Sequence, residues 1–339
     1  MKPKNQVTIG VIGAGYWGPN LIRNFSQLPD CKVKYVCDLD ATRLASVKQQ
    51  YPSSITTQET KDLFLDDSLD AVVIATPVST HFNLVKEALQ AGKHVLVEKP
   101  MAAAVSECEI LRTLTQERKL ILMVDHTFLY TGAVRKIAEL VQKGELGELY
   151  YFDSERINLG LIQSDVDVLW DLAPHDISIM NHVFKGIRPV SVFAIGTRHV
   201  STHVNEMAHL TVQFEGGIVG HIHASWLSPI KIRKLLIGGS KKMILYDDVH
   251  PFEKVKVYDK GVAVDFKKET PMTPVYRSGD AYIPQLDDEE ALLREARHFI
   301  RCVQGHEQPL VDADAGLAVV RILEAADKSM QSGNAVNLN

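Results

Sequence analysis

Val7-Thr8-Ile9-Gly10-Val11-Ile12-Gly13-Ala14-Gly15-Tyr16-Trp17-Gly18-Pro19-Asn20 carries more structural information than any other stretch of the chain. It has the form of a buried strand, a glycine turn and a helix start. Gly13 allows a sharp turn out of the strand. Gly15 has no Cβ, so a pyrophosphate can approach the backbone. Gly18 allows close packing of the helix. Free N–H groups at a helix start face an anion, and Pro19 suits an early turn where no donor is needed. An amphipathic stretch, Leu21–Leu28, follows. A second apolar run, Val33–Cys37, then ends at Asp38. A carboxylate there accepts hydrogen bonds from both adenosine ribose hydroxyls and repels a 2′-phosphate, so the expected cofactor is NAD. Arg43 lies close enough in sequence to hold such a phosphate instead. Tyr16 and Trp17 lie inside the turn and join the three glycines and Asp38 as candidate cofactor residues.

The totals narrow the choice further. A chain of 339 residues is too long for one ordinary small core, so two domains are expected. With 45% hydrophobic and 23% charged residues, no long disordered region is needed. The net charge of −5 comes without a basic block, which argues against nucleic acid and anionic membrane surfaces as partners. No apolar run approaches a membrane span. The first strand begins at about Val7, leaving no room for a signal peptide. Cys31, Cys37, Cys108 and Cys302 form no C-x-x-C pair, and reduced thiols in a cytoplasmic protein are expected.

Strands and helices alternate through the first third of the chain. Helices are expected over Ala41–Gln50, Thr60–Leu65, Phe82–Ala91 and Val105–Arg118, with strands over Asp70–Ala75, His94–Val97 and Leu120–Val124. This is the α/β pattern of a doubly wound parallel sheet, assigned to a domain of residues 1–125. Ligands of such sheets sit at the carboxyl ends of the strands. Thr76, Pro77 and His81 follow one strand there, and Glu98 and Lys99 close another. His81 either touches cofactor or substrate or caps the next helix.

From residue 126 the period changes. A helix over Ala133–Lys143 precedes β-type stretches at Leu149–Arg156, Val190–Thr197, Glu206–Phe214, Ile218–Trp226, Lys234–Gly238, Met243–Asp247, Val255–Tyr258 and Val262–Phe266. Gly216-Gly217 marks a hairpin. Successive strands with short turns predict an α+β domain, residues 126–339, with a large, mostly antiparallel open sheet. One sheet face can pack on helices, and the other can pair with a second subunit. Within Val168–Ile177, Asp171 and His175 are four apart and share a helix face. Pro174 places the helix start near Asp171, as its N-cap. The carboxylate can orient the imidazole as a general base; the plainer alternative is a capping Asp and a core His. His221 and His223 read as sheet-face residues. No H-E-x-x-H or cysteine pair supplies further ligands, so no metal is expected. Tyr130, Arg156 and Asn158 are candidate substrate residues, and Arg156 either holds a diphosphate or forms a surface ion pair.

The order of motifs resembles the Gfo/Idh/MocA oxidoreductases. It comprises the glycine fingerprint, the strand-ending Asp38, Ala75-Thr76-Pro77, Glu98-Lys99-Pro100, and Asp171 with His175. The resemblance covers nearly the whole chain. It implies a Rossmann domain plus an open antiparallel sheet domain, association through that sheet, and a cis Lys99-Pro100 peptide. It also implies Lys99, Asp171 and His175 as the catalytic residues. Gly15-Tyr16-Trp17-Gly18-Pro19-Asn20 and Trp170-Asp171-Leu172-Ala173-Pro174-His175-Asp176 resemble the branch that oxidises nucleotide-linked sugars at C3. The implied substrate is a UDP-N-acetylhexosamine or its uronate, feeding amino-sugar synthesis for surface polysaccharide. A free polyol such as inositol, or a glycoside hydrolysed by transient oxidation, is the alternative.

Overall fold

The computed structural model describes residues 6–163, 166–200, 203–264 and 274–338. The last two positions of the expected strand Val262–Phe266 lie outside them. In chain order the elements up to Tyr130 are β1 (Val7–Ile12), α1 (Gly18–Ser26), β2 (Cys31–Cys37), α2 (Ala41–Gln50), β3 (Ile55–Thr57), α3 (Lys61–Phe64), β4 (Ala71–Ile74), α4 (Val78–Gln90), β5 (His94–Glu98), α5 (Val105–Arg118) and β6 (Leu122–Asp125). There follow α6 (Gly132–Gln142), β7 (Leu149–Leu159), α7 (Val168–Val183), β8 (Pro189–Thr197), β9 (Met207–Phe214), β10 (Val219–Ser225), β11 (Leu227–Gly239), β12 (Met243–Asp247), β13 (Val255–Val264) and β14 (Pro274–Tyr282). The chain closes with α8 (Ala291–Val303), α9 (Ala313–Ser332) and β15 (Val336–Asn337). Among the described residues no helix is long and apolar enough to cross a membrane.

Internal contacts divide the chain into two units. One is the chain up to Tyr130 together with Glu289–Arg321; the other is Thr131–Asp288 together with the chain from Ile322 on. The first unit holds a six-stranded sheet in the order β3-β2-β1-β4-β5-β6, parallel throughout. Its central strands are buried on both faces, as an apolar run such as Ala71-Val72-Val73-Ile74 requires. The strand order reverses between β1 and β4, which opens a crevice at their carboxyl ends.

Helix α8 is where the contacts depart from the expected division of the chain at residue 125. Leu292, Ala296, Phe299 and Ile300 form its buried stripe, and Phe299 packs edge to face on Phe25 of α1 at 6.2 Å. Arg23 and Glu290 add an ion pair at 2.5 Å. The apolar spacing of α8 is visible in the sequence; its distant partner is not.

The second unit is built on a nine-stranded sheet, β14-β13-β12-β11-β7-β10-β9-β8-β15. All its pairings are antiparallel except β7 with β10, which is parallel. A parallel neighbour needs a long crossover, and here α7 and the β8–β9 hairpin supply it. Gly216 and Gly217 connect β9 to β10 with φ of +78° and +81°, values open to glycine at little cost.

Two helix starts differ from expectation. Helix α4 begins at Val78 rather than Phe82, with Pro77 as the residue before it. His81 therefore lies in the first turn of the helix and not in the strand-end loop. Helix α7 begins at Val168, where the Asp167 carboxylate accepts from the amides of Leu169 (2.9 Å) and Trp170 (3.2 Å). Asp171 is thus not the N-cap, and Pro174 sits inside the helix, which forgoes one backbone hydrogen bond there.

Candidate active site

A cleft of about 910 Å³ opens at the carboxyl ends of the first unit's strands. Gly13, Gly15, Tyr16, Trp17, Asp38, Thr76, Pro77, Glu98 and Lys99 all line it. Gly13 turns with φ +98°, and a Cβ there would lie 2.3 Å from the Ala75 carbonyl oxygen. A Cβ on Gly18 would lie 2.1 Å from the carbonyl oxygen of Gly13, so Gly18 packs on the turn itself. A Cβ on Gly15 would meet nothing nearer than an Arg43 nitrogen at 3.5 Å, which leaves the backbone approachable from the cleft.

Asp38 is buried to 9% exposure and is tied at both oxygens: Oδ2 accepts from the Ala14 amide at 2.6 Å and Oδ1 from the Asp40 amide at 2.8 Å. The Arg43 guanidinium, half in solvent, lies 3.7 Å from Asp38 and 3.5 Å from Asp40. The cation that was the obstacle to an NAD assignment is thus paired with two carboxylates. Tyr16 and Trp17 stack on each other at 6.3 Å, and Tyr16 is 94% exposed on the rim. Burial pushes the Cys37 thiol up to about 11, which disqualifies it as a nucleophile.

His81 does not line this cleft and does not cap α4. It is buried, with Nδ1 2.8 Å from the carbonyl oxygen of Pro100 and Nε2 2.9 Å from that of Thr76. It thereby ties the strand end at Thr76 to the Lys99-Pro100 segment, whose peptide is cis. Burial holds its basicity below the ordinary histidine range, against the pull of the two carbonyls; the nearby charge of Lys99 acts in the same direction as burial.

Glu98 closes β5 opposite Asp125 of β6. Burial, then the Asp125 charge, hold its carboxyl well above the usual range, although Lys99 opposes this. Tyr130 is not presented to a substrate: it is 3% exposed and its hydroxyl meets His298 Nδ1 at 2.9 Å.

In the second unit, Asp171 and His175 lie one turn apart on α7, both half-buried. Asp171 Oδ2 accepts from the indole N–H of Trp226 at 3.1 Å. Sequence reasoning missed Trp226; its position beside the end of β10 was legible, but its partner was not. Asn158 is half-buried near the end of β7. Arg156 corrects both expectations made for it. It is 4% exposed, and its Nε and Nη2 donate to Asp176 at 2.6 and 3.0 Å. The pair is neither at the surface nor open to a diphosphate, because Arg156 on an inward position of β7 needs a buried counter-charge and α7 provides it. His221 and His223 stand on the sheet face as expected, and His223 stacks on His209 at 4.3 Å through direct pairing of β10 with β9. Among the described residues no cluster of His, Cys, Asp and Glu could hold a metal ion.

Comparison with known proteins gives matches along most of the chain. Residues 7–126 match the oxidoreductase family with NAD-binding Rossmann fold, GFO_IDH_MocA, and residues 134–245 match the GFO/IDH/MocA C-terminal domain. A UDP-N-acetylglucosamine 3-dehydrogenase from Acidithiobacillus ferrooxidans is 28% identical over 94% of both chains. A solved structure of UDP-N-acetylglucosamine 3-dehydrogenase GnnA from that organism superposes with a TM-score of 0.81 at 25% identity, covering 96% of this chain and 98% of the other. A myo-inositol 2-dehydrogenase from Thermotoga maritima is 24% identical over 97% of this chain and 98% of its own. GenD2 from gentamicin A biosynthesis, solved with NAD, shares the fold with a TM-score of 0.84 at 20% identity, covering 100% and 98%.

Proposed function

Because the chain belongs to the Gfo/Idh/MocA oxidoreductases and carries their NAD-binding Rossmann domain, we propose that it oxidises a secondary hydroxyl, at C3, of a UDP-N-acetylhexosamine or its uronate. The observation that carries this reading is the end-to-end likeness to a UDP-N-acetylglucosamine 3-dehydrogenase, which spans both units. Bound NAD supplies the hydride acceptor. Asp38 and the open backbone at Gly15 are the groups suited to hold its ribose and pyrophosphate. His175 takes the hydroxyl proton, with Asp171 orienting its ring. Lys99 donates to the same oxygen and stabilises the charge that develops as the proton leaves. Trp226 fixes the Asp171 carboxylate for that task.

The second reading, oxidation of a free polyol, draws on the inositol dehydrogenase that also matches end to end. The deciding measurement is absorbance at the NADH band with UDP-N-acetylglucosamine, its uronate and myo-inositol in parallel. Rapid NADH formation with a nucleotide sugar supports the first reading. Background rates there, with turnover of inositol, transfer the assignment to the second. Turnover of a glycoside without net NADH marks the hydrolytic alternative.

The nine-stranded sheet is proposed to pair with a second copy of the chain. One row across it runs Phe193, Thr211, His221, Asp153, Leu236, with Phe193 and Leu236 well exposed. Sedimentation of the purified chain as a monomer at micromolar concentration removes this proposal.

A further inference from the structure

Behind the wall of the NAD cleft lies a group of acids that the proposed chemistry does not use. Glu98 ends β5, Asp125 ends β6 in direct register with it, and Glu295 comes from α8. Glu295 is 0% and Asp125 2% exposed. Asp125 Oδ1 accepts from both the backbone amide of Thr127 (3.2 Å) and its hydroxyl. Asp125 Oδ2, both Glu295 oxygens and Glu98 Oε1 are buried with no donor of their own. Glu98 and Asp125 are register partners on neighbouring strands, and the Asp125 charge acts on both Glu98 and Glu295. The Thr127 hydroxyl also neighbours Glu295, but it has one proton and that proton is on Asp125.

Three ionised carboxylates cannot occupy this space. Buried oxygens facing one another repel unless a proton lies between them. The other titratable groups turned toward the cluster do not cure this. Lys99 follows Glu98 in the chain, Tyr130 is an unionised phenol bonded to His298, His126 is buried without charge, and Cys302 is a buried thiol. Arg294, next to Glu295, turns instead to Glu289 and the Tyr130 carbonyl. A carboxylate has about four acceptor positions. Thr127 fills two of those on Asp125, and two carboxylic acids would fill the rest.

We propose that Asp125 is a carboxylate that receives hydrogen bonds from Glu98 and Glu295 as neutral acids, and that Glu295 is a positioning residue which, through Asp125, orients Glu98 at the wall of the NAD cleft. With two protons the arrangement gives a partner to Asp125 Oδ2, to Glu98 Oε1 and to one oxygen of Glu295. It also gives α8 a polar anchor at the ends of β5 and β6, beside the apolar one at Phe299. Burial, with the Asp125 charge, raises both glutamates well above the usual carboxylate range, in the direction the arrangement requires.

The test uses the full chain and NAD alone, so it does not depend on which sugar is the substrate. A folded state that holds extra protons loses stability as pH rises from the ordinary carboxylate range through the raised values, about tenfold in the folding constant per pH unit for each proton. Glu295→Gln keeps a donor toward Asp125 at every pH. It is expected to fold, to bind NAD within about twofold of wild type at pH 7 and to remove one such tenfold step from the pH slope. It should also flatten the rise of the NAD Kd with pH and delete one carboxylic-acid C=O band from the infrared spectrum at pH 8. Glu295→Leu, with no donor, is expected to weaken NAD binding about tenfold. The proposal is overturned if wild type lacks that infrared band, or if Glu295→Gln keeps the wild-type pH slope. Equal weakening of NAD binding by Glu295→Gln at every pH overturns it too.

Discussion

Asp38 at the end of β2 holds the Ala14 amide of the glycine turn at 2.6 Å and stands 3.7 Å from Arg43. One carboxylate therefore shapes the turn and neutralises the cation that would otherwise welcome a 2′-phosphate. Asp38→Ser removes the charge and leaves Arg43, already at the cleft, with Asp40 as its remaining carboxylate. The ratio of kcat/KM for NAD over NADP is expected to fall by about tenfold or more, the scale of a lost charge-assisted hydrogen bond. An unchanged ratio would show that Arg43 takes no part in discrimination.

His81 binds two carbonyl oxygens from different segments, Thr76 and Pro100. His81→Phe fills the space but removes the one N–H of the neutral imidazole, leaving a buried carbonyl oxygen without its donor at a cost of about 1–3 kcal/mol. Isothermal titration is expected to show NAD binding weakened by about tenfold, because Thr76 and Lys99 line the cleft on either side of the tie. Wild-type affinity in this variant would mean that the two segments hold their places unaided.

Arg156 and Asp176 are a buried pair, with side chains 5% and 3% exposed. Arg156→Met strands the Asp176 charge and is expected to cost about 3–5 kcal/mol in chemical denaturation. The double variant Arg156→Met with Asp176→Leu should recover most of that loss. Full stability of the single variant, with impaired substrate binding, would restore Arg156 to the substrate site.

Asp327 on α9 accepts from the Trp170 indole at 2.8 Å, yet burial raises its carboxyl to about 6. The folded chain then binds more protons than the unfolded one between about pH 4 and pH 6. Stability from this group is complete below that window and declines as pH rises through it. Asp327→Asn is expected to flatten the melting temperature against pH across this interval. A parallel curve displaced at every pH would assign Asp327 a role without titration.

The site was legible wherever short-range chemistry decides. Gly13, Gly18 and Asp38 announce themselves because a turn, a tight packing and a strand-end acid each demand one residue type. Pro174 misled: it pointed to a helix starting at Asp171, but Asp167 is the stronger start because its side chain caps two amides. Partnerships over long sequence separations were invisible. Nothing local marks Trp226 as the donor to Asp171, His298 as the partner of Tyr130, or Asp176 as the counter-charge of Arg156.

The packing of Phe299 on Phe25 has a consequence for synthesis. A ribosome delivers residue 130 when more than half of the chain is still to come, yet the first unit is not complete until Glu289–Arg321 has emerged. The nascent parallel sheet waits through the translation of Thr131–Asp288 with Phe25 and its neighbours uncovered, a period in which a chaperone has something to hold.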